Sequence, residues 1–355
     1  MSCVVIPNIR LAGISAAVPQ REEANIDLPL LSDSDALKLI KTTGIERRRI
    51  VAKHQCASDL CLAAAEKLLQ DLSWDPETID VLVFVTQTPD YFSIPATAPI
   101  LQHKLGLTKS SIAFDVTLGC SGFTYGVQIV SSLLSSAKLK RGLLLAGDTL
   151  SKVLSPSDKS TFPLFGDAGS ACAIELTPEG NLCFDSGTDG SGSSAIQIYG
   201  GGARNPTNIS SLDVQNVEPG ISRNQLQLEL DGIDVFNFSL REVPKSISRL
   251  FSFSKLTVEN IDRFYFHQAN LLMNEMIRKK LGIPEEKVPY SLKGFGNTSS
   301  ASIPLTWVTD HKPSPNNNTV IASGFGVGLS WCSFIADTRN TLVCPLVEVK
   351  TDELP

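Results

Sequence analysis

Four short stretches from the first half of this 355-residue chain return in its second half, in the same order. "ETIDVLVFVTQT" (77–88) is echoed by "ENIDRFYFHQAN" (259–270), with Asp80 and Asp262 standing 182 positions apart. "HKLGL" (103–107) is echoed by "KKLGI" (279–283) at an offset of 176, "DVTLGCSG" (115–122) by "LKGFGNTS" (292–299) at 177, and "FGDAGSACAIE" (165–175) by "FGVGLSWCSFI" (325–335) at 160. One such pair is within reach of chance among apolar strands, but four in a shared order suggest a duplicated fold. Two similar halves are then expected at 1–178 and 179–355, packed about a pseudo-twofold axis near which equivalent loops converge. The offsets bring three residues to that meeting point: Cys120, Asn297 in the seat equivalent to Cys120, and His267 in the seat equivalent to Val85.

Within the halves, strand-like apolar runs alternate with helical patterns, the order of an α/β protein. A Ser-capped helix over 58–72 precedes a buried strand over 78–88. A helix in "PATAPILQHKLGL", the strand "SIAFDVTL", a helix after Cys120 and the strand "RGLLLAGDT" complete a β-α-β-α-β order. "TFPLFGDAGSACAIEL" (161–176) reads as a strand pair with a Gly-rich turn, and the Gly- and Ser-rich stretch 189–213 as a loop excursion over part of a site or interface. Hydrophobic residues at 42% and charged residues at 19% belong to a globular chain. The net charge of −6 opposes general binding to nucleic acid or to an anionic membrane, although "IERRRI" (45–50) and "IRKK" (277–280) are candidate basic patches. The N-terminus does not read as a secretory signal, and no apolar run approaches the roughly 20 residues of a membrane span, so the cytoplasm is the expected location. Eight cysteines without a C-x-x-C pair argue against a zinc ribbon or a disulfide framework.

"DVTLGCSGFTYG" (115–126) sets Cys120 where an apolar strand gives way to a small-residue turn and a helix. A thiol attacks a carbonyl as its thiolate, and a helix N-terminus favours that anion, so a lowered thiol pKa is expected here. The Cys120 N–H can help form an oxyanion hole. His267, in "HQAN", closes an apolar run at the carboxyl end of a strand, where α/β sheets collect their chemistry. Asn297, in "GFGNTSSAS", offers a neutral amide that can stabilise negative charge without taking a proton.

These segments resemble those of the thiolase-fold condensing enzymes, and specifically the β-ketoacyl-acyl-carrier-protein synthase III (KAS III) family. "DVTLGCSGFTYG" is similar to that family's nucleophile segment, "HQAN" to its histidine segment and "GNTSSAS" to its asparagine segment. "TTGIERRRI", "PLFGDAGSA" and "SGFGVGLSW" resemble further blocks in the same order, over nearly the whole chain. The resemblance implies a thiolase-like fold, with two duplicated βαβαβ halves in α-β-α-β-α layers, and a homodimer for which the strand "SIAFDV" looks suited. It implies that Cys120 takes an acyl group from a thioester, and that His267 and Asn297 support decarboxylation of a malonyl thioester by stabilising the enolate oxygen. The carbanion then attacks the acyl group to give a β-ketoacyl thioester. The backbone N–H groups of Cys120 and Val327 are the expected oxyanion hole. Asn270, Lys159 and Phe236 are the expected pantetheine-binding residues, and Lys279 and Lys280 the expected dock for an acidic acyl carrier protein. No metal is expected, and no cofactor beyond the pantetheine of the substrates.

The chain also departs from the family pattern. Lys38 and Thr42 stand where enzymes primed by acyl-CoA carry a Trp and an Arg, Lys159 replaces an Arg, Ile233 replaces an amide, and Leu272 replaces an Arg after "HQAN". Acetyl-CoA as the native donor is thereby in question, and a carrier-bound or unusual acyl donor gains weight. Two other readings keep the fold: transfer of the Cys120 acyl group to an amine or alcohol without decarboxylation, and a silent partner subunit. A papain-like protease shares the Cys, His, Asn order but lacks support from the residues flanking Cys120.

Overall fold

The computed structural model describes residues 3–92, 94–310 and 318–350. The chain opens with the long strand β1 (Val4–Pro19) and the helices α1 (Asp33–Thr43) and α2 (Ala57–Leu72). The first half continues with β2 (Val81–Val85), α3 (Thr97–Lys104), β3 (Ile112–Val116), α4 (Gly122–Ala137), β4 (Arg141–Asp148) and the 21-residue β5 (Ala168–Thr188). The second half supplies α5 (Gly232–Ser254), β6 (Arg263–Phe266), α6 (Leu271–Lys280), α7 (Ser302–Thr309), β7 (Thr319–Gly326) and β8 (Ser330–Asp337).

Strand β2 lies parallel between β3 and β4, and β4 runs antiparallel to the first part of β5. In the second half β6 is parallel to β7, β7 antiparallel to β8, and β8 antiparallel to the last part of β5. Strand β1 runs antiparallel along both parts of β5, so β1 and β5 link the two sheets. Strand β5 crosses position 178 without a break.

The five layers follow from which way alternate side chains point. Val81, Val83 and Val85 of β2 face an inner core with Phe123 and Val127 of α4, Trp307 of α7 and Val320 of β7. Leu82 and Phe84 face outward onto α2. In β6, Tyr265 points inward and stacks on Trp307 at 4.5 Å, while Phe264 and Phe266 face α5 and α6 outside. Both faces of each sheet are covered, which is why the strands read as unbroken apolar runs rather than as alternating ones. Each fully buried Leu or Phe in these layers contributes roughly 1.5–3 kcal/mol of transfer free energy. The repeat also shows in the turns: Gly106 and Gly282 close "HKLGL" and "KKLGI" with φ of +70° and +67°.

Two expectations are corrected. Residues 161–167 form hydrogen-bonded turns, not the first strand of a pair, because their carbonyls are taken by Arg48 and Asn297 instead of by a neighbouring strand. "IERRRI" is not a basic surface patch either. It forms a short strand whose alternation turns Arg47 out and Arg48 fully into the protein. Among the described residues, no helix is long and apolar enough to cross a membrane.

Candidate active site

Cys120, His267 and Asn297 line one cavity of about 210 Å³ between the halves, together with Gln87, Phe325 and Val327. Farther along, its wall is apolar, with Leu150, Phe165, Ile196, Leu228 and Met273. Ile196 brings the 189–213 excursion into that wall, as the sequence suggested.

Cys120 stands two residues before α4, buried beneath the turn that joins β7 to β8. A Cβ built on Gly326 would lie 2.9 Å from the Cys120 sulfur, so only glycine lets that backbone pass so close. Ser330 Oγ donates to the Val327 carbonyl at 2.8 Å and stands 2.7 Å from Ser121 Oγ, which fixes the turn against the start of α4. The Val327 N–H and the N–H of Cys120 itself lie close enough to the sulfur to favour its anion. Burial nevertheless outweighs them and pushes the thiol up to about 11. The lowered thiol pKa expected from the helix terminus is therefore overturned: taking a small anion out of water costs more than a few partial charges return.

His267 follows β6 directly and is buried. Its Nδ1 lies 2.7 Å from Ser302 Oγ, and that hydroxyl also accepts the Gln268 N–H at 3.3 Å. The hydroxyl proton is then free to go to Nδ1, which leaves Nε2 as the N–H donor of a neutral ring. Burial holds the imidazole down to about 3. Phe325 meets the ring edge-on at 5.5 Å. Asn297 is fixed through its backbone: its N–H donates to the Leu164 carbonyl at 2.9 Å, and its own carbonyl accepts from Gly166 at 3.1 Å. Its Oδ1 is occupied by the Ser299 N–H at 2.9 Å, so the NH₂ group is what remains for a ligand. Asp148 at the end of β4 joins the two sides. Its Oδ1 accepts from the Gln87 N–H at 2.7 Å and its Oδ2 from the Ser300 N–H and hydroxyl at 3.1 and 2.7 Å.

Of the other expected residues, Asn270 lines the cavity and caps α6 by accepting the Met273 N–H at 2.8 Å. Lys159 and Phe236 do not line it. Lys159 is exposed and lies along Gly220, and Phe236 packs into the core of α5 and α6, while Ser160, Gly232 and Val235 take the lining positions. Lys280 Nζ donates to the Leu240 carbonyl, and Lys279 is exposed at the end of α6. Thr42 spends its hydroxyl on the Lys38 carbonyl within α1. The sequence reading missed Ser302, Gln87 and Asp148. Ser302 sits in the small-residue run after Asn297, and that run was its only signal.

With the Cys120 thiol pushed up to about 11 and the thiolate as the attacking form, acylation of Cys120 followed by intact mass is expected to quicken by up to about tenfold per pH unit from about pH 6 to about pH 9. A thiolate already formed near pH 7 would instead give a rate that levels off above that pH. Stability responds to pH at both ends of the range. His267 has a folded pKa below its unfolded 6.5, so stability falls as pH drops from about 6.5 toward about 3. Cys120 has a folded pKa above its unfolded 9.0, so stability falls as pH rises from about 9 toward about 11.

Two family models match the chain: 3-oxoacyl-[acyl-carrier-protein] synthase III over 114–190 and its C-terminal counterpart over 251–337. A β-ketoacyl-[acyl-carrier-protein] synthase III of Streptococcus mutans is 33% identical, covering 90% of this chain and 95% of its own. The crystal structure of a 3-oxoacyl-(acyl-carrier protein) synthase from Burkholderia xenovorans superposes with a TM-score of 0.91 at 36% identity, over 98% of this chain and 99% of its own. A priming β-ketosynthase of a polyketide biosynthetic pathway superposes at 0.81 with 26% identity, over 96% and 97% of the two chains. A duplicated layered fold, a Cys, His and Asn set on one apolar cavity, and relatives matched from end to end lead to one conclusion: the chain belongs to the β-ketoacyl-acyl-carrier-protein synthase III family of acyltransferases.

Proposed function

We propose that the chain joins an acyl group, held on Cys120, to a malonyl thioester by decarboxylative condensation. The observation that carries this reading is the pairing of a neutral imidazole N–H with an Asn297 amide whose oxygen is already occupied, both on the cavity of a buried thiol. Simple transfer to an amine or alcohol has less use for two further neutral donors on the same cavity. In the first half-reaction the Cys120 sulfur bonds to the acyl carbon, the thioester C–S bond breaks, and the thiol proton ends on the departing pantetheine thiolate. The carbonyl oxygen is stabilised by the N–H groups of Cys120 and Val327. In the second, the malonyl carboxylate leaves as CO₂, and its electron pair forms an enolate held by His267 and Asn297. The enolate carbon then bonds to the acyl carbon, and the Cys120 thiolate is released to take a proton from solvent. This splits one difficult step into two and calls for no cofactor beyond phosphopantetheine.

A carrier-bound acyl donor is favoured over a nucleotide by the sequence: Lys38, Thr42 and exposed Ile233 stand at the positions where acyl-CoA-primed enzymes of the family pattern carry a Trp, an Arg and an amide to hold the nucleotide. Lys279 and Lys280 serve as the dock for an acidic carrier protein, beside exposed Leu272 and Met276 on α6. The unmatched edge of β3, which pairs only with β2 among the described residues, is the proposed homodimer seam. The division at 178/179 is proposed as the seam of a duplication, with the cytoplasm as the site of action.

The test is intact mass after exposure to acetyl, butyryl and octanoyl groups, each carried on CoA and on a carrier protein, followed by a malonyl-carrier-protein chase. Expected are one acyl increment, faster from the carrier protein, and its loss on the chase with one CO₂ released per β-ketoacyl product. Loss of the acyl group to an amine or alcohol, with no CO₂ released, would instead establish simple transfer. No increment from any donor would move the chain to the silent-partner reading.

A further inference from the structure

We propose that Arg48 is a positioning residue for condensation: its buried guanidinium holds the turn that holds Asn297. This rests on the enolate-donor role assigned to Asn297 above. Arg48 is fully buried, on a strand that contributes nothing to the cavity wall. Its Nη1 donates to the Phe162 carbonyl at 2.8 Å and to the Phe165 carbonyl at 3.2 Å, and the guanidinium lies 5.0 Å over the Phe162 ring. Nε donates to Asn25 Oδ1 at 3.1 Å, and Nη2 meets Glu23 at 3.2 Å. Asn25 in turn donates to the carbonyls of Ile45 and Pro163. The segment 162–166 is therefore gripped from beneath by one cation and its partner amide.

That segment is the frame of Asn297. The Leu164 carbonyl and the Gly166 N–H are the two backbone partners of Asn297, and Phe165 bridges it in parallel register. Arg48 also touches the other side of the joint. Gly296 has a φ of +67°, and a Cβ there would stand 3.1 Å from Arg48 Cγ and 2.8 Å from the Leu164 carbonyl oxygen. The same side chain thus supports both strands of the contact that fixes where the Asn297 amide points. Among the described residues Cys120 has no such link: its turn is braced by Ser121, Ser330 and Val327 instead. A disturbance at Arg48 should therefore slow the second half-reaction far more than the first, which feels it only through the cavity wall at Leu164 and Phe165.

A planar fork is needed for this. Arg48 serves an amide oxygen, two carbonyls and a carboxylate in different directions, which an ammonium on a shorter reach cannot reproduce. Misplacing a reacting group by about 1 Å can cost about 100-fold in rate. The experiment measures both half-reactions separately in Arg48→Met, Arg48→Lys, Asn297→Ala and the Arg48→Met/Asn297→Ala double variant, alongside thermal midpoints. The probes are the six acyl thioesters named above and a malonyl-carrier-protein chase.

Expected for Arg48→Met is acylation of Cys120 within about threefold of wild type, with the chase slowed about 10- to 100-fold. Arg48→Lys should fall between that variant and wild type. The double variant should be no slower than Asn297→Ala alone, because both changes remove one interaction. Equal losses in the two half-reactions, losses that multiply in the double variant, or a wild-type chase in Arg48→Lys and Arg48→Met would overturn the proposal. So would failure of both single variants to fold, since that assigns Arg48 to folding alone. An Asn297→Ala protein that condenses at the wild-type rate would overturn the enolate-donor reading and this inference together.

Discussion

Cys120→Ala protein is expected to gain no mass from any acyl thioester and to lose roughly 10⁴-fold or more of its condensation rate, the scale on which removal of a covalent nucleophile acts. The sulfur is the cavity atom whose anion the N–H groups of Cys120 and Val327 favour. Seven other cysteines are free thiols, and those that are buried lie in the packed cores, away from the cavity wall. Mass labelling therefore reports Cys120 specifically once a fully folded Ala variant stands beside it. Folding should survive: the change removes one buried atom at a position already tight against Gly326, a cost of roughly 1 kcal/mol. The thermal midpoint checks that directly. Residual malonyl decarboxylation in the variant would be consistent with the assignment, since His267 and Asn297 are untouched. Full acylation of the Ala variant would remove Cys120 as nucleophile.

That Cys120, His267 and Asn297 share one cavity was legible because each sits at a place where sequence and topology coincide. Cys120 and His267 end apolar runs that became β3 and β6 with their following turns, and Asn297 shares the small-residue turn and the offset of Cys120. The layers were legible for the same reason, since β2 and β6 are short apolar runs between helical patterns. What lay out of reach was set by burial. "ERRRI" carries the letters of a basic patch, and only pairing of its short strand with Glu22–Ala24 turns Arg48 inward. The direction of the Cys120 shift depends on summing a desolvation cost against two N–H groups, and one of those comes from Val327, 207 positions away. Ser302 and Asp148 act through side-chain bonds that cross from one half to the other or between neighbouring loops, which no local pattern encodes. Lys159 and Phe236 were carried over by register with family segments. A shift of one residue along a strand or helix is enough to trade a lining side chain for its neighbour, as Ser160 and Val235 show.

Asn297→Ala and His267→Ala should leave acylation of Cys120 within about tenfold of wild type while slowing the malonyl chase about 100- to 1000-fold each, the loss typical of one preorganised donor to a developing oxyanion. The asymmetry is the point of the prediction. Asn297 contributes its NH₂ group alone, because Oδ1 is held by the Ser299 N–H, and His267 contributes Nε2–H, because Ser302 occupies Nδ1. Neither group is charged at neutral pH, so each favours an enolate over a neutral thioester by hydrogen bonding without adding a charge that would also bind the malonyl carboxylate and hold back its departure. Asn297→Asp should be slower still than Asn297→Ala, since a carboxylate there repels the enolate and accepts where the amide donated. Ser302→Ala should reproduce part of the His267 loss, because that hydroxyl engages Nδ1 and so helps fix the tautomer that presents Nε2–H. If acylation and chase fell together in all of these variants, the donors would serve the first step, and transfer to a simple acceptor would become the better description of the reaction.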